Sequence, residues 1–227
     1  MKHGKRYRED AKKVEPKKAY GIAEAIELAK STNGAKFDET VELVLRLGVD
    51  PKKPDQALRG TISLPKGIGR SLRVVVFAEG EMAERAKAAG AEAAGGQELI
   101  DRVQGGWLDF DVAIAVPAMM RLVGRLGRLL GPKGLMPSPK SGTVTDDVEA
   151  AVGEFKAGKI EYRTDSGGNV HAPVGKKSFA TEDLQANVEA FIERMRQIKP
   201  SGAKGRYILS AHLTTTMGPG IPLAVSG

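Results

Sequence analysis

The chain has 227 residues, 41% hydrophobic and 28% charged, a balance that suits one large or two small globular domains and excludes wholesale disorder or a fibrous repeat. With no cysteine, a disulfide scaffold, a thiolate metal site and a cysteine nucleophile are excluded. The net charge of +7 points towards polyanionic partners.

No apolar run approaches the roughly 18 residues of a membrane span, and the polar start MKHGKRYRED has no signal-peptide core, so a cytoplasmic chain without membrane contact is expected. The positive charge is unevenly spread: residues 67–157 hold 11 basic and 12 acidic residues, and the flanks hold 24 and 16. Within the neutral middle, the stretch between Asp111 and Asp146 carries Arg121, Arg125, Arg128, Lys133 and Lys140 and no acid, a second basic surface. On composition alone, a solvated face with counterions explains either patch equally well.

Taken in chain order, Val41–Leu47 alternates, with Val41, Leu43, Leu45 and Leu47 on one face and Glu42 and Arg46 on the other, and Leu58–Leu64 offers it a partner strand. Pro65, Gly67 and Gly69 mark a first crossing between domains. Arg73–Ala78 is a continuous β-branched run, followed by a helical stretch from Glu81 to Ala89 that stops at Gly90. A short Ala91–Ala94 segment, a helix over Gln97–Gln104, the run Asp111–Pro117 and a helical piece near Met119–Leu126 follow. Continuously apolar strands of this kind are buried on both faces, which predicts a small parallel α/β sheet. Asp146 and Asp147 sit where a helix N-terminus is expected and complement its dipole. Gly153 and Gly158 mark the second crossing. Ile160–Arg163, Asn169–Val174 and Arg206–Thr216 read as further strands. Thr181 is placed to cap a helix from Glu182 to about Ile198, whose Leu184, Val188, Phe191, Ile192 and Met195 share one side.

Neither flank alone carries enough elements for a domain, whereas the two together do. The expected fold class is therefore mixed, α/β and α+β: a split α+β outer domain formed by both chain ends, residues 1–66 and 158–227, with a Rossmann-like parallel α/β domain inserted over 67–157. The paired crossings would allow a two-strand hinge.

Catalytic motifs fail on inspection. In Gly67–Leu72, Leu72 stands where a dinucleotide fingerprint needs its third glycine, and the segment precedes a strand instead of following one. Gly175–Ser178 resembles a phosphate loop, but Val170 occupies the first glycine position and the serine is one residue late. The three histidines, His3, His171 and His212, lack the local pairing of metal motifs. No enzyme activity, cofactor, metal or small-molecule substrate is expected. A nucleotide-dependent α/β enzyme and a protein-binding adaptor remain as rival classes.

Four segments are left that composition does not explain: KFDETVEL (Lys36–Leu43), GRLLGPKGLMPSPK (Gly127–Lys140), IEYRTDSGGNVHAPVGKKSF (Ile160–Phe179) and TTTMGPG (Thr214–Gly220). In this order they closely resemble the bacterial form of the ribosomal protein L-one family, the large-subunit stalk protein, and the resemblance runs from HGKRY at His3 to Gly218. It implies a split first domain that carries the main RNA site and an inserted Rossmann-like domain that contributes little. The implied partners are large-subunit ribosomal RNA, deacylated transfer RNA at the exit site and the protein's own messenger RNA, whose translation it represses. The implied contacts are Lys36, Phe37, Glu39, Thr40, His171, Gly175, Thr216, Met217 and Gly218. The unassigned surface shows no extended apolar stripe, so a monomer off the ribosome is expected.

The chemistry of these residues suits folded RNA. Hydroxyls and carboxylates that bond to the 2′-OH are supplied by Thr40, Glu39, Thr214 and Thr216. Lys36, Lys176, Lys177, Lys204 and Arg206 would neutralise phosphates, which positions RNA without reading it. Phe37 is either a stacking platform or a core aromatic, Met217 either a groove filler or core, and Gly218 either a turn that admits RNA to the backbone or a strand terminator. Ser166 and Gly167 depart from the family's common lysine and threonine, Ser138 from its common asparagine, and the tail after Gly220 adds nothing to the resemblance.

Overall fold

The computed structural model describes residues 4–15, 18–32 and 34–225. In chain order the elements are α1 (Lys5–Ala11), α2 (Ile22–Ser31), β1 (Thr40–Leu47), β2 (Arg59–Ser63), β3 (Val74–Phe77), α3 (Glu81–Ala88), β4 (Ala93–Gly95), α4 (Gln97–Gln104) and β5 (Val112–Ala115). They continue with α5 (Met120–Val123), α6 (Gly127–Leu130), α7 (Val148–Ala157), β6 (Lys159–Arg163), β7 (Asn169–Lys176), α8 (Thr181–Gln197), β8 (Ile208–Thr215) and β9 (Ile221–Pro222). The chain divides into two compact units, one of Met1–Gly69 with Ile160–Gly227, the other Arg70–Lys159. The mixed α/β and α+β architecture expected from the sequence is present, with an antiparallel sheet built from both chain ends and a parallel sheet between them.

In the first unit the alternation of β1 decides the layering. Val41, Leu43, Leu45 and Leu47 are buried, and β1 lies between β7 and β8, antiparallel to both, in a sheet of order β7-β1-β8-β9. The apolar side chains of β1, with Val170, Ala172, Val174, Ala211 and Leu213, join a core to which α2 gives Ala25, Ile26 and Ala29 and α8 gives Leu184, Val188, Phe191, Ile192 and Met195. The opposite face carries Glu42, Val44, Arg46, His171, His212 and Thr214, none of them buried.

Three expectations are corrected here. Leu58–Leu64 does not partner β1: β2 pairs with β6 in a separate two-stranded sheet, and Tyr162 of β6 packs edge-on to Phe191 with ring centroids 5.9 Å apart. Thr181 does not cap α8; it is the first helical residue, the cap position is Ala180 with no side-chain bond, and Lys30 Nζ lies 3.5 Å from the Thr181 hydroxyl. Gly153 lies inside α7, not at a crossing.

The second unit is doubly wound. Its parallel sheet has the order β4-β3-β5, and all four residues of β3 are buried because their side chains alternate between two helical layers. Val74 and Val76 pack with Ala83 and Ala86 of α3 and Val148, Val152 and Phe155 of α7. Val75 and Phe77 pack with Leu99, Ile100 and Val103 of α4 and with Val123, Leu126 and Leu130. Ala93–Gly95 proves to be a strand, and the helical piece near 119–126 runs further, as a chain of short helical turns from Pro117 to Leu130. Asp147 caps α7, its carboxylate accepting the Ala150 amide at 3.1 Å.

Candidate nucleic-acid interface

Strand register brings three distant segments to one end of the antiparallel sheet. Thr40 stands opposite Lys176, Val41 opposite both Gly175 and Thr215, and the Thr216 amide donates to Thr40 O at 3.1 Å. The loop before β1, the loop after β7 and the turn after β8 therefore converge.

One buried glutamate ties the three together. Glu39 is 1% exposed, its Oε1 accepts the Ala35 amide at 2.6 Å, and its Oε2 accepts the Met217 amide at 3.0 Å. Its main-chain carbonyl accepts the Lys177 amide at 2.8 Å. Burial alone would raise the Glu39 pKa, but the nearby Thr215 hydroxyl, the amides of Ala35 and Met217 and the charge of Lys177 outweigh it and hold the carboxyl below its ordinary range. Glu39 thus departs from the expected role: its oxygens are engaged within the protein, so it shapes the loops and has no carboxylate face to offer a ribose.

Around this knot the loops are pinned twice more. The Asp38 carboxylate accepts the Ser178 amide at 3.2 Å and the Ser178 hydroxyl at 2.7 Å. Lys177 Nζ donates to Thr32 O at 2.7 Å, which places its ammonium in the loop packing and away from the phosphate role expected of it. Lys204 and Arg206 precede β8 and so lie at the opposite end of the strand from Thr216, outside this cluster.

The pinned loops present an open surface. Phe37 is 56% exposed and Met217 49% exposed, which removes the core reading for both. They are the two most exposed large hydrophobic residues among those described. Lys36 and Thr216 are also exposed, and Thr40 is half-buried. The Thr216 hydroxyl accepts the Thr40 amide at 3.0 Å, and Lys176 Nζ donates to the Thr40 hydroxyl at 2.9 Å. These bonds fix the hydroxyls and the ammonium at one edge of the surface.

The glycines serve the scaffold. Gly175 is buried at a β-bulge with φ +151°, and a Cβ there would stand 2.7 Å from Leu184 Cδ2 and 3.0 Å from Phe179 Cδ2, so close packing on α8 requires glycine. Gly218 donates its amide to Thr215 O at 3.1 Å, the Thr214 hydroxyl donates to Gly218 O at 3.3 Å, and a Cβ at Gly218 would collide with the Thr215 hydroxyl. Gly218 closes a turn directly after β8.

His171 lies on the open face four positions along β7–β1 from the Thr40 end, opposite Val44, with His212 on the other side of Val44. Its Nδ1 is 3.3 Å from Glu42 and its Nε2 3.8 Å from Asp165. His171 therefore extends the surface along the sheet and is not part of the loop cluster. His3 lies outside the described residues. Among the described residues no cluster of three or more His, Cys, Asp or Glu side chains could hold a metal, and no helix is long and apolar enough to cross a membrane. The Asp38–Ser178 and Lys177–Thr32 pins leave no signal in the sequence, because their partners are more than a hundred residues apart.

An arrangement of exposed aromatic and thioether groups, flanked by fixed hydroxyls and lysines, can stack on a base and bond to riboses and phosphates at once. The family model of the ribosomal protein L1p/L10e family matches residues 28–219. The chain is 56% identical over 222 residues, 98% of this chain and 96% of the other, to the large ribosomal subunit protein uL1 of Kosmotoga olearia. It is 54% identical over 226 residues, 100% and 99% of the two chains, to the protein of that name in Clavibacter michiganensis subsp. michiganensis. With identity this high over the whole length and a family model spanning both compact units, the chain belongs to the ribosomal protein L1p/L10e family.

Proposed function

We propose that this protein is a non-catalytic, cytoplasmic constituent of the large ribosomal subunit that binds ribosomal RNA at the mobile stalk through the loop end of its antiparallel sheet. The carrying observation is the pairing of two exposed apolar side chains, Phe37 and Met217, with backbone loops pinned by one buried carboxylate. Exposing apolar groups on pinned loops has no value to the fold and lowers the ordering cost of binding. The names of the relatives support the ribosomal assignment.

In this reading Lys36, Phe37, Thr40, Lys176, Thr214, Thr216 and Met217 touch RNA, His171 extends the contact along the sheet, and Glu39, Gly175 and Gly218 hold the contacting loops in place. The second unit faces deacylated transfer RNA near the exit site and assists its release. The same loop end binds the protein's own messenger RNA and represses its translation, and the free protein is a monomer.

The test is binding of the purified chain to a large-subunit stalk RNA fragment and to a scrambled RNA of equal length over a salt series. Structure-dependent binding that Phe37→Ala and Met217→Ala each weaken at unchanged salt slope is expected. Equal affinity for both RNAs, lost only as salt rises, would overturn the assignment.

A further inference from the structure

The second unit carries a basic surface to which the reading above assigns no residue. From Pro117 to Leu130 the chain winds as one helical path through α5 and α6, burying Met119, Val123, Leu126 and Leu130 in the core. Arg121, Arg125 and Arg128, spaced four and three apart, all point to the other side and are exposed. None of the three has an ion-pair partner among the described residues. The following loop adds exposed Lys133 and Lys140, and no acidic residue occurs between Asp111 and Asp146.

Two glycines interleave with the arginines and have no structural explanation within the chain. Gly124 and Gly127 have φ of −54° and −55°, ordinary helical values that any residue adopts. A Cβ at either would meet nothing within 4 Å. By contrast, Gly131 is required because a Cβ would stand 2.6 Å from Gly127 O, and Gly134 because its φ is +71°. Both stand at junctions between short helical turns in ordinary helical conformation, where glycine is less favourable than alanine, so neither packing nor backbone conformation requires them and they leave the main chain bare there.

Resting on the reading that this is an RNA-binding protein, we propose that the arginine face of residues 117–130, with Lys133 and Lys140, is a second and separate docking surface for the sugar-phosphate backbone of an RNA helix. Guanidinium groups match phosphates with two parallel N–H bonds, and five cations with no intervening acid give the charge complementarity. The bare Gly124–Arg125–Leu126–Gly127 stretch lets the phosphates come against the main chain, as the glycine pair of a GXXG loop does when it clamps nucleotides in another fold. The surface grips by shape and charge and reads no sequence.

The test uses the full chain with two separate probes, the stalk RNA fragment and a fluorescent RNA hairpin of unrelated sequence. Arg121→Gln/Arg125→Gln/Arg128→Gln is expected to weaken hairpin binding at least tenfold and to lower its salt slope by about three, leaving the stalk fragment within twofold. Gly124→Ala/Gly127→Ala is expected to raise Tm and yet weaken hairpin binding severalfold. Wild-type protein saturated with the stalk fragment still takes up the hairpin. A hairpin affinity indifferent to the arginine variant, an unaltered affinity in the stabilised alanine variant, or equal losses for both RNAs would each overturn the proposal. Phe37→Ala read against the stalk fragment judges the first site independently, so failure of one assignment is distinguishable from failure of the other.

Discussion

The Glu39 carboxylate accepts the backbone amide of Met217 at 3.0 Å across 178 positions of sequence, and its other oxygen accepts the amide of Ala35. The first turn of the surface and the last are thereby fastened to the same buried group. Because two amides lose their acceptor when it is removed, Glu39→Ala is expected to cost about 2–3 kcal/mol of stability by urea unfolding. RNA affinity falls as well, although the carboxylate makes no contact of its own. A variant as stable as wild type would show that the loops hold without it.

Phe37→Ala should behave in the opposite way. An exposed side chain makes little contribution to the fold, so stability is expected within about 0.5 kcal/mol of wild type. Affinity for the stalk RNA fragment falls by about 1–3 kcal/mol if the ring stacks on a base. The contrast between the two variants separates a contacting residue from a positioning one, and a Phe37→Ala protein that binds normally would remove the stacking role.

Gly175→Ala probes the bulge in β7. The added methyl would press on Leu184 and Phe179, and the glycine's φ of +151° disfavours any side chain. A loss of about 1–3 kcal/mol is expected from overpacking and backbone strain. Unaltered stability would mean that α8 gives way readily, and that the glycine is kept for close approach of RNA instead.

What the sequence made legible follows the range of each signal. The alternation of Val41, Leu43, Leu45 and Leu47 fixed which face of β1 is buried, and the continuous run Val74–Phe77 foretold helices on both sides of the parallel sheet. Periodicity names a strand's faces but not its partner: Leu58–Leu64 reads as a partner for β1, and the structure pairs β2 with β6. A threonine preceding two acids is a good helix cap by local chemistry, yet the N-cap is Ala180 and the Thr181 hydroxyl stands beside Lys30, a side chain 151 residues away. Glu39 is the clearest limit. Carboxylates are seldom buried, so a lone glutamate between Asp38 and Thr40 reads as surface, and only the return of β8 beside β1 encloses it.

Acid should loosen both units through two carboxylates whose pKa values are lowered on folding. In Asp111, burial acts to raise the pKa, but the hydrogen bonds from the Arg73 side chain and amide and the charges of Arg70 and Arg73 prevail. Glu39 is lowered by its own set of donors. A depressed carboxyl contributes stability that is fully present above its unfolded value, near 4.5 for Glu39 and 3.8 for Asp111, and that is lost as pH falls through the folded value. Urea midpoints are therefore expected to hold steady from pH 7 to about pH 5 and to drop below that. Glu39→Gln should flatten the acid fall of the first unit, because a neutral amide has no proton to take up. An identical fall in that variant would show that other groups carry the pH dependence.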